Sequence, residues 1–232
     1  MTYRDLNLED KKKYYKLLCD IISENRKTVI ENVVNMRTDH FVPVIENIHK
    51  AQNASAVLRT CDCLGLQDVF VIENNNKFAV TDDISLGANK WLNIQKYSSF
   101  ENNTKQCFDD LRAKGYKIIA TMPYKNDINL QDIDIKDKCA VVFGSEVDGI
   151  SQEAINNADA FMKIPMYGFT ESFNISVSAA ITMHYLTDKL RKSNMDWHLS
   201  EQKIYDTLIL WALQSITSKD KIEKELLNRL DK

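Results

Sequence analysis

Glycine and proline are scarce in this chain, at six and three in 232 residues. That excludes collagen-like and low-complexity segments and makes each occurrence informative: Gly144 and Gly149 flank one short loop, and Pro165 and Gly168 punctuate another. Histidine is also sparse, at four. None lies beside an evident serine or cysteine nucleophile, which disfavours triad hydrolysis. There is no G-x-G-x-x-G, G-x-x-x-x-G-K-[ST], H-E-x-x-H or G-x-S-x-G, so dinucleotide, nucleoside-triphosphate, zincin and elbow-serine chemistry are disfavoured. No apolar run approaches the roughly 18 residues of a membrane span. The opening MTYRDLNLEDKKKYY carries no apolar signal core, so a cytoplasmic protein without a membrane partner is expected. The cysteines (Cys19, Cys61, Cys63, Cys107, Cys139) are odd in number, and reduced thiols are the default for such a protein. Cys61 and Cys63 form one C-x-C with no second pair at ligand spacing, so no metal is expected. A strongly basic balance is missing too, since the net charge is −3. The basic clusters Lys11, Lys12, Lys13, Lys16 and Lys189, Arg191, Lys192 each read as a solvated helix face.

What remains is a globular composition, 44% hydrophobic and 27% charged. Its length suits one domain with extensions. Helical spacing of apolar residues predicts one helix over 8–35. Strands are expected at 41–47, 68–73, 93–97, 117–122, 139–143 and 160–164. Helices are expected at 53–64, 82–91, 100–114, 152–157 and 174–191, with two further helical pieces over 198–230. Strands alternate with helices from residue 41 to about 192, the pattern of a parallel, doubly wound α/β domain. The predicted organisation is an N-terminal helical extension (1–40), a central domain (41–192) and a C-terminal helical extension (193–232). Each extension is too short to hold its own core.

Ligands of open α/β sheets bind outside the carboxyl ends of the strands. Four such ends carry polar turns, the last two with glycine: NIHKAQNASAVLRT, MPYKND, GSEVDGIS and PMYGFTESFNIS. NIHKAQNASAVLRT, VVFGSEVDGIS and IPMYGFTESFNISVSAA together resemble the three ordered motifs of the SPOUT methyltransferases, most closely the TrmH branch of tRNA guanosine 2′-O-methyltransferases. The resemblance covers about 41–192. It implies an α/β parallel-sheet SPOUT domain whose C-terminal part forms a trefoil knot, a homodimer, S-adenosylmethionine as methyl donor, and RNA, most simply tRNA, as substrate. Carried over position by position, it implies Asn53 and Arg59 as the catalytic pair, with Glu146, Ser172 and Asn174 as further catalytic positions. It implies Thr121, Gly144, Gly149, Ile164, Met166 and Phe173 as donor-binding positions. Ala51 and Gln52 stand where relatives often have Pro-His, and Phe173 where they often have Leu; neither change removes a reacting group.

The residue types suit those roles. An adenine needs an apolar slot with main-chain groups at its edge, which Ile164, Phe173 and a strand-end backbone can supply. Gly144 permits close backbone approach. A guanidinium with a pKa above about 12 is a poor base, so Arg59 is expected to grip an RNA phosphate bidentately, the phosphate or Arg59 then taking the ribose proton. Glu146 would orient Asn53 or Arg59. Ser172 and Asn174 precede a helix, where they can cap it and favour an anion. His49 and Lys50 would add phosphate contacts. The short extensions favour a D-loop guanosine enzyme of tRNA over the ribosomal branch, which carries a larger N-terminal domain. The other readings are a ribosomal RNA methyltransferase, a catalytically silent RNA-binding member of the same fold, and an ordinary unknotted nucleotide-binding α/β protein.

Overall fold

The computed structural model describes residues 2–122, 128–145 and 147–230. In chain order its elements are α1 (Leu8–Cys19), α2 (Glu24–Val34), β1 (Phe41–Glu46), α3 (Ala51–Leu64), β2 (Asp68–Ile72), α4 (Asp82–Ser85), β3 (Asn93–Tyr97), α5 (Asn103–Ala113), β4 (Lys117–Thr121), β5 (Ile128–Asn129), β6 (Cys139–Phe143), α6 (Gln152–Asn157), β7 (Ala160–Lys163), α7 (Ile175–Arg191), α8 (Glu201–Gln214) and α9 (Lys219–Leu230). They fall into two compact units: Thr38–Trp197, and the residues up to Arg37 together with those from His198 onward.

The central unit is a seven-stranded sheet in the order β3-β2-β1-β6-β4-β7-β5, parallel at every junction. β1, β2 and β6 are buried along their whole length, as continuous apolar strands covered on both faces should be. Alternation divides them between two cores. Phe41, Ile45, Val141 and Phe143 pack with Leu58 of α3 and Ala179 and Met183 of α7. Val42, Val44, Ala140 and Val142 pack with Phe108 and Leu111 of α5 and Ala154 of α6. Proline is unusual in a central strand because it cannot donate to the ladder. Pro43 is accommodated because it pairs with Val141 of β6 while the ladder to β2 begins only at Val44.

Two expectations are corrected. The single helix over 8–35 is two helices, because Ser23 adopts extended backbone and its hydroxyl accepts the Arg26 N–H at 3.3 Å, starting α2 afresh. The helix over 82–91 stops at Ser85. Leu86 and Gly87 turn left-handed there, and only a 3₁₀ turn, Ala88–Lys90, follows. The two-residue β5 had no strand signal in the sequence.

In the other unit the two ends of the chain share one core. Tyr14, Leu18, Ile30 and Val34 are buried with Leu208, Ile209, Trp211, Ala212 and Leu226. Lys11 is buried among them, its Nζ 2.6 Å from Asp206, and the Arg37 guanidinium lies 5.0 Å from the Trp211 ring centre. Neither segment could bury this surface alone; pairing solves the shortage that their lengths imply. Among the described residues no helix is long and apolar enough to cross a membrane.

Candidate active site

Parallel strands end on one edge of the sheet, so β1, β6, β4 and β7, neighbours in that order, deliver their following turns to one place. The chain moves outward from β1 through β2 to β3, then crosses to the other side of β1, which makes this edge a topological switch point. A cavity of about 470 Å³ opens there, inside the roughly 300–1,000 Å³ range of small-molecule sites.

Each wall follows from a local feature. At the end of β4 the Thr121 hydroxyl donates to the Val142 carbonyl at 2.9 Å, tying that turn to β6. After β6 the backbone doubles back at once. Ser145 and Gly149 exchange N–H···O bonds of 2.9 and 3.1 Å, and Gly149 has φ 69°, a left-handed value that favours glycine. The doubling presses Gly144 against Gly149 so closely that a Cβ on Gly144 would sit 2.2 Å from the Gly149 carbonyl carbon and oxygen. After β7, Ile164 and Met166 line one wall, and Ser172, Phe173 and Asn174 return along it into α7. Asn174 uses both ends of its amide: Oδ1 accepts the Ser176 N–H at 2.9 Å, and Nδ2 donates to Asn53 Oδ1 at 3.3 Å.

All six residues expected to bind a donor, Thr121, Gly144, Gly149, Ile164, Met166 and Phe173, line this cavity, as do Ser172 and Asn174. Asn53 reaches its edge through Asn174. Arg59 is not brought to it. Six residues beyond Asn53, it lies about 9 Å further along α3 and roughly 120° around it, on the exposed face. The opposite face, with Ala54, Val57, Leu58 and Cys61, is buried. Glu146 lies outside the described residues. Lys50 lines the cavity while His49 is exposed away from it. Lys163 and Glu171 also line it. Neither was named from the sequence, although Glu171 lies in the turn PMYGFTESFNIS and Lys163 ends the strand just before it.

The walls match an adenosyl amino acid in kind. Ile164, Met166 and Phe173 offer an apolar slot, the Gly144–Gly149 turn offers bare main chain, and Lys50, Lys163 and Glu171 supply charges of both signs.

Residues 40–184 match the SpoU rRNA Methylase family. The tRNA (guanosine(18)-2′-O)-methyltransferase of Borreliella burgdorferi is 41% identical over 215 residues, covering 93% of this chain and 97% of that protein. The crystal structure of the Aquifex aeolicus TrmH/SpoU tRNA modifying enzyme superposes with a TM-score of 0.75 at 28% identity, over 84% of this chain and 98% of that one. The Streptomyces viridochromogenes SpoU methyltransferase AviRb, solved with the cofactor AdoMet, shares the fold at a TM-score of 0.56 and 16% identity, over 70% of this chain and 62% of that one. With a match over more than half its length and a relative aligned nearly end to end, the chain belongs to the SpoU rRNA Methylase family.

Proposed function

We propose that this chain transfers a methyl group from S-adenosylmethionine to the ribose 2′-oxygen of a guanosine in tRNA, position 18 in the D-loop. The observation that carries the reading is the alignment with the Borreliella protein. It runs across the terminal segments as well as the central domain, so the parts expected to select the RNA are shared along with the reacting site.

S-adenosylmethionine supplies an electrophilic methyl on a sulfonium. In this reading Ile164, Met166 and Phe173 hold its adenine, and the Thr121 and Gly144–Gly149 turns meet it with main-chain groups. Fixing donor and acceptor in one geometry accounts for a large part of such catalysis. Asn53 and Asn174, already hydrogen-bonded to each other, orient the ribose, with Ser172 beside them. Arg59, on the exposed face of α3, grips the RNA through a bidentate phosphate contact, and an RNA phosphate next to the ribose takes the 2′-hydroxyl proton. Lys50, at the cavity rim, meets the RNA backbone.

The catalytic domain in this reading is 41–192, its C-terminal chain threads a trefoil knot, and it works in the cytoplasm as a homodimer. Support for the dimer comes from α7, which exposes Val177 and Ile181 one turn apart, an apolar pair that a second copy would cover. The test is methyl transfer to unmodified total tRNA followed by nucleoside mapping. The expected product is 2′-O-methylguanosine in the D-loop. Modification of ribosomal RNA alone, the substrate class in the family's name, would overturn the tRNA assignment, and no donor binding would leave the silent RNA-binding reading.

A further inference from the structure

Glu46 ends β1 fully buried. A parallel strand covered on both faces has no need of a carboxylate there, and burying one is costly unless it is well satisfied. This one is satisfied. Oε2 accepts the Ser151 N–H at 2.9 Å, and Oε1 accepts the Ser151 hydroxyl at 2.7 Å and the Thr104 hydroxyl at 2.7 Å. Thr104 in turn accepts from the Asn74 amide at 2.8 Å, so its proton is committed to Glu46. Two of the three bonds converge on Ser151, whose hydroxyl oxygen also accepts the Ala154 N–H and caps α6.

Ser151 is the exit of the turn that forms one wall of the cavity: Gly144, Ser145, Gly149 and Ile150 all line it. Its entry is held by β6, where Phe143 pairs with Ile45 beside Glu46. With entry and exit both fixed from β1, the turn is forced into the tight doubling that leaves no room for a side chain on Gly144.

We infer that Glu46 is a positioning residue: it clamps Ser151 and so holds Gly144, Ser145, Gly149 and Ile150 in the arrangement that receives the methyl donor. The inference rests on the donor-binding reading above, and its test separates the two. Amide hydrogen exchange at Ser145 and Gly149 reports the turn without any ligand, and calorimetry with S-adenosylmethionine reports the cavity. Glu46→Gln keeps the shape but must turn an NH2 toward either the Ser151 N–H or the pair of hydroxyls that the carboxylate now accepts. Exchange is expected to quicken, and donor affinity to fall, each by about tenfold, with KM for tRNA within about twofold of wild type. Ser151→Ala should move both in the same direction by about threefold. Tyr97→Phe, which removes the 2.8 Å bond to Asp110 elsewhere in the same unit, should lower thermal stability and move neither. If Glu46→Gln only lowers stability as Tyr97→Phe does, with exchange and affinity unchanged, the clamp is refuted. If Glu46→Gln does not fold, Ser151→Ala decides by the same two readouts. If the wild-type chain binds no S-adenosylmethionine, the proposed function falls while the exchange data still judge the clamp.

Discussion

Asn174 serves stability and chemistry with opposite ends of one amide, so substitutions can separate the two. Its Oδ1 caps α7 and its Nδ2 reaches Asn53. Asn174→Ala loses both; a missing cap costs about 1 kcal/mol, and methyl transfer should fall with it. Asn174→Ser keeps a capping oxygen but has no amide to reach Asn53. Thermal melting should place it near wild type while the methylation rate falls about tenfold or more; equal activity in Asn174→Ser and wild type would remove the Asn53 link from the reaction. The thiols make a second separation. Burial pushes the Cys139 thiol up to about 11 and raises that of Cys107 further, whereas Cys63 is exposed. Only the thiolate reacts, and at pH 8 about one Cys139 in a thousand is ionised. Iodoacetamide followed by peptide mapping should therefore find Cys63 modified first, and Cys107 and Cys139 protected until the fold opens.

At the scale of elements, the sheet was legible because its strands are short apolar runs ended by polar turns. The four strand-end turns could be grouped because a parallel sheet carries all such turns to one edge, while the resemblance to the family's motifs singled out Thr121, Gly144, Ile164 and Phe173 in and beside them, and all four line the cavity. What stayed hidden was decided by single residues against the local pattern. The apolar spacing of 8–35 runs straight through Ser23, and only its backbone angles divide α1 from α2. Glu46 reads in FVPVIEN as the polar end of a strand, and its partners Thr104 and Ser151 are 58 and 105 residues away. For Arg59 the limit was legible: the resemblance pairs it with Asn53, but six residues of helix already turn the two side chains apart. α7 carries a further expectation of its own. Its buried side holds Ile175, Ala179, Met183, Leu186 and Leu190, yet Val177 and Ile181 face outward. If a second copy covers them, Ile181→Asp should convert a dimer to a monomer in sedimentation velocity with the melting temperature of the central unit little changed. A variant that still sediments as a dimer would move the interface elsewhere.

At the scale of the whole chain, the least legible feature is that its two ends fold together. Each reads as a helical appendage with a sparse apolar stripe, and nothing local records that Tyr14 and Leu18 share a core with Trp211 and Ala212 almost two hundred residues later. The ion pair at that junction tests how much of this unit rests on specific partnering. Lys11 is almost wholly buried and Asp206 about one-third exposed, 2.6 Å apart. Removing one member of a buried pair strands the other charge and typically costs about 3–5 kcal/mol, whereas replacing both with apolar residues is often neutral. Because Asp206 keeps some solvent, Asp206→Ala should cost about 3 kcal/mol, and the double variant Lys11→Met/Asp206→Leu should recover most of it. Trp211 belongs to this unit, whereas Trp91 and Trp197 belong to the other, so denaturant titration followed by Trp211 fluorescence, with the other two replaced by Phe, reads this unit alone. Recovery in the double variant would mean that apolar burial between the termini holds the unit and the ion pair only fixes how α1 and α8 register. If the double variant is as unstable as Asp206→Ala, the Lys11–Asp206 attraction itself holds the ends of the chain together.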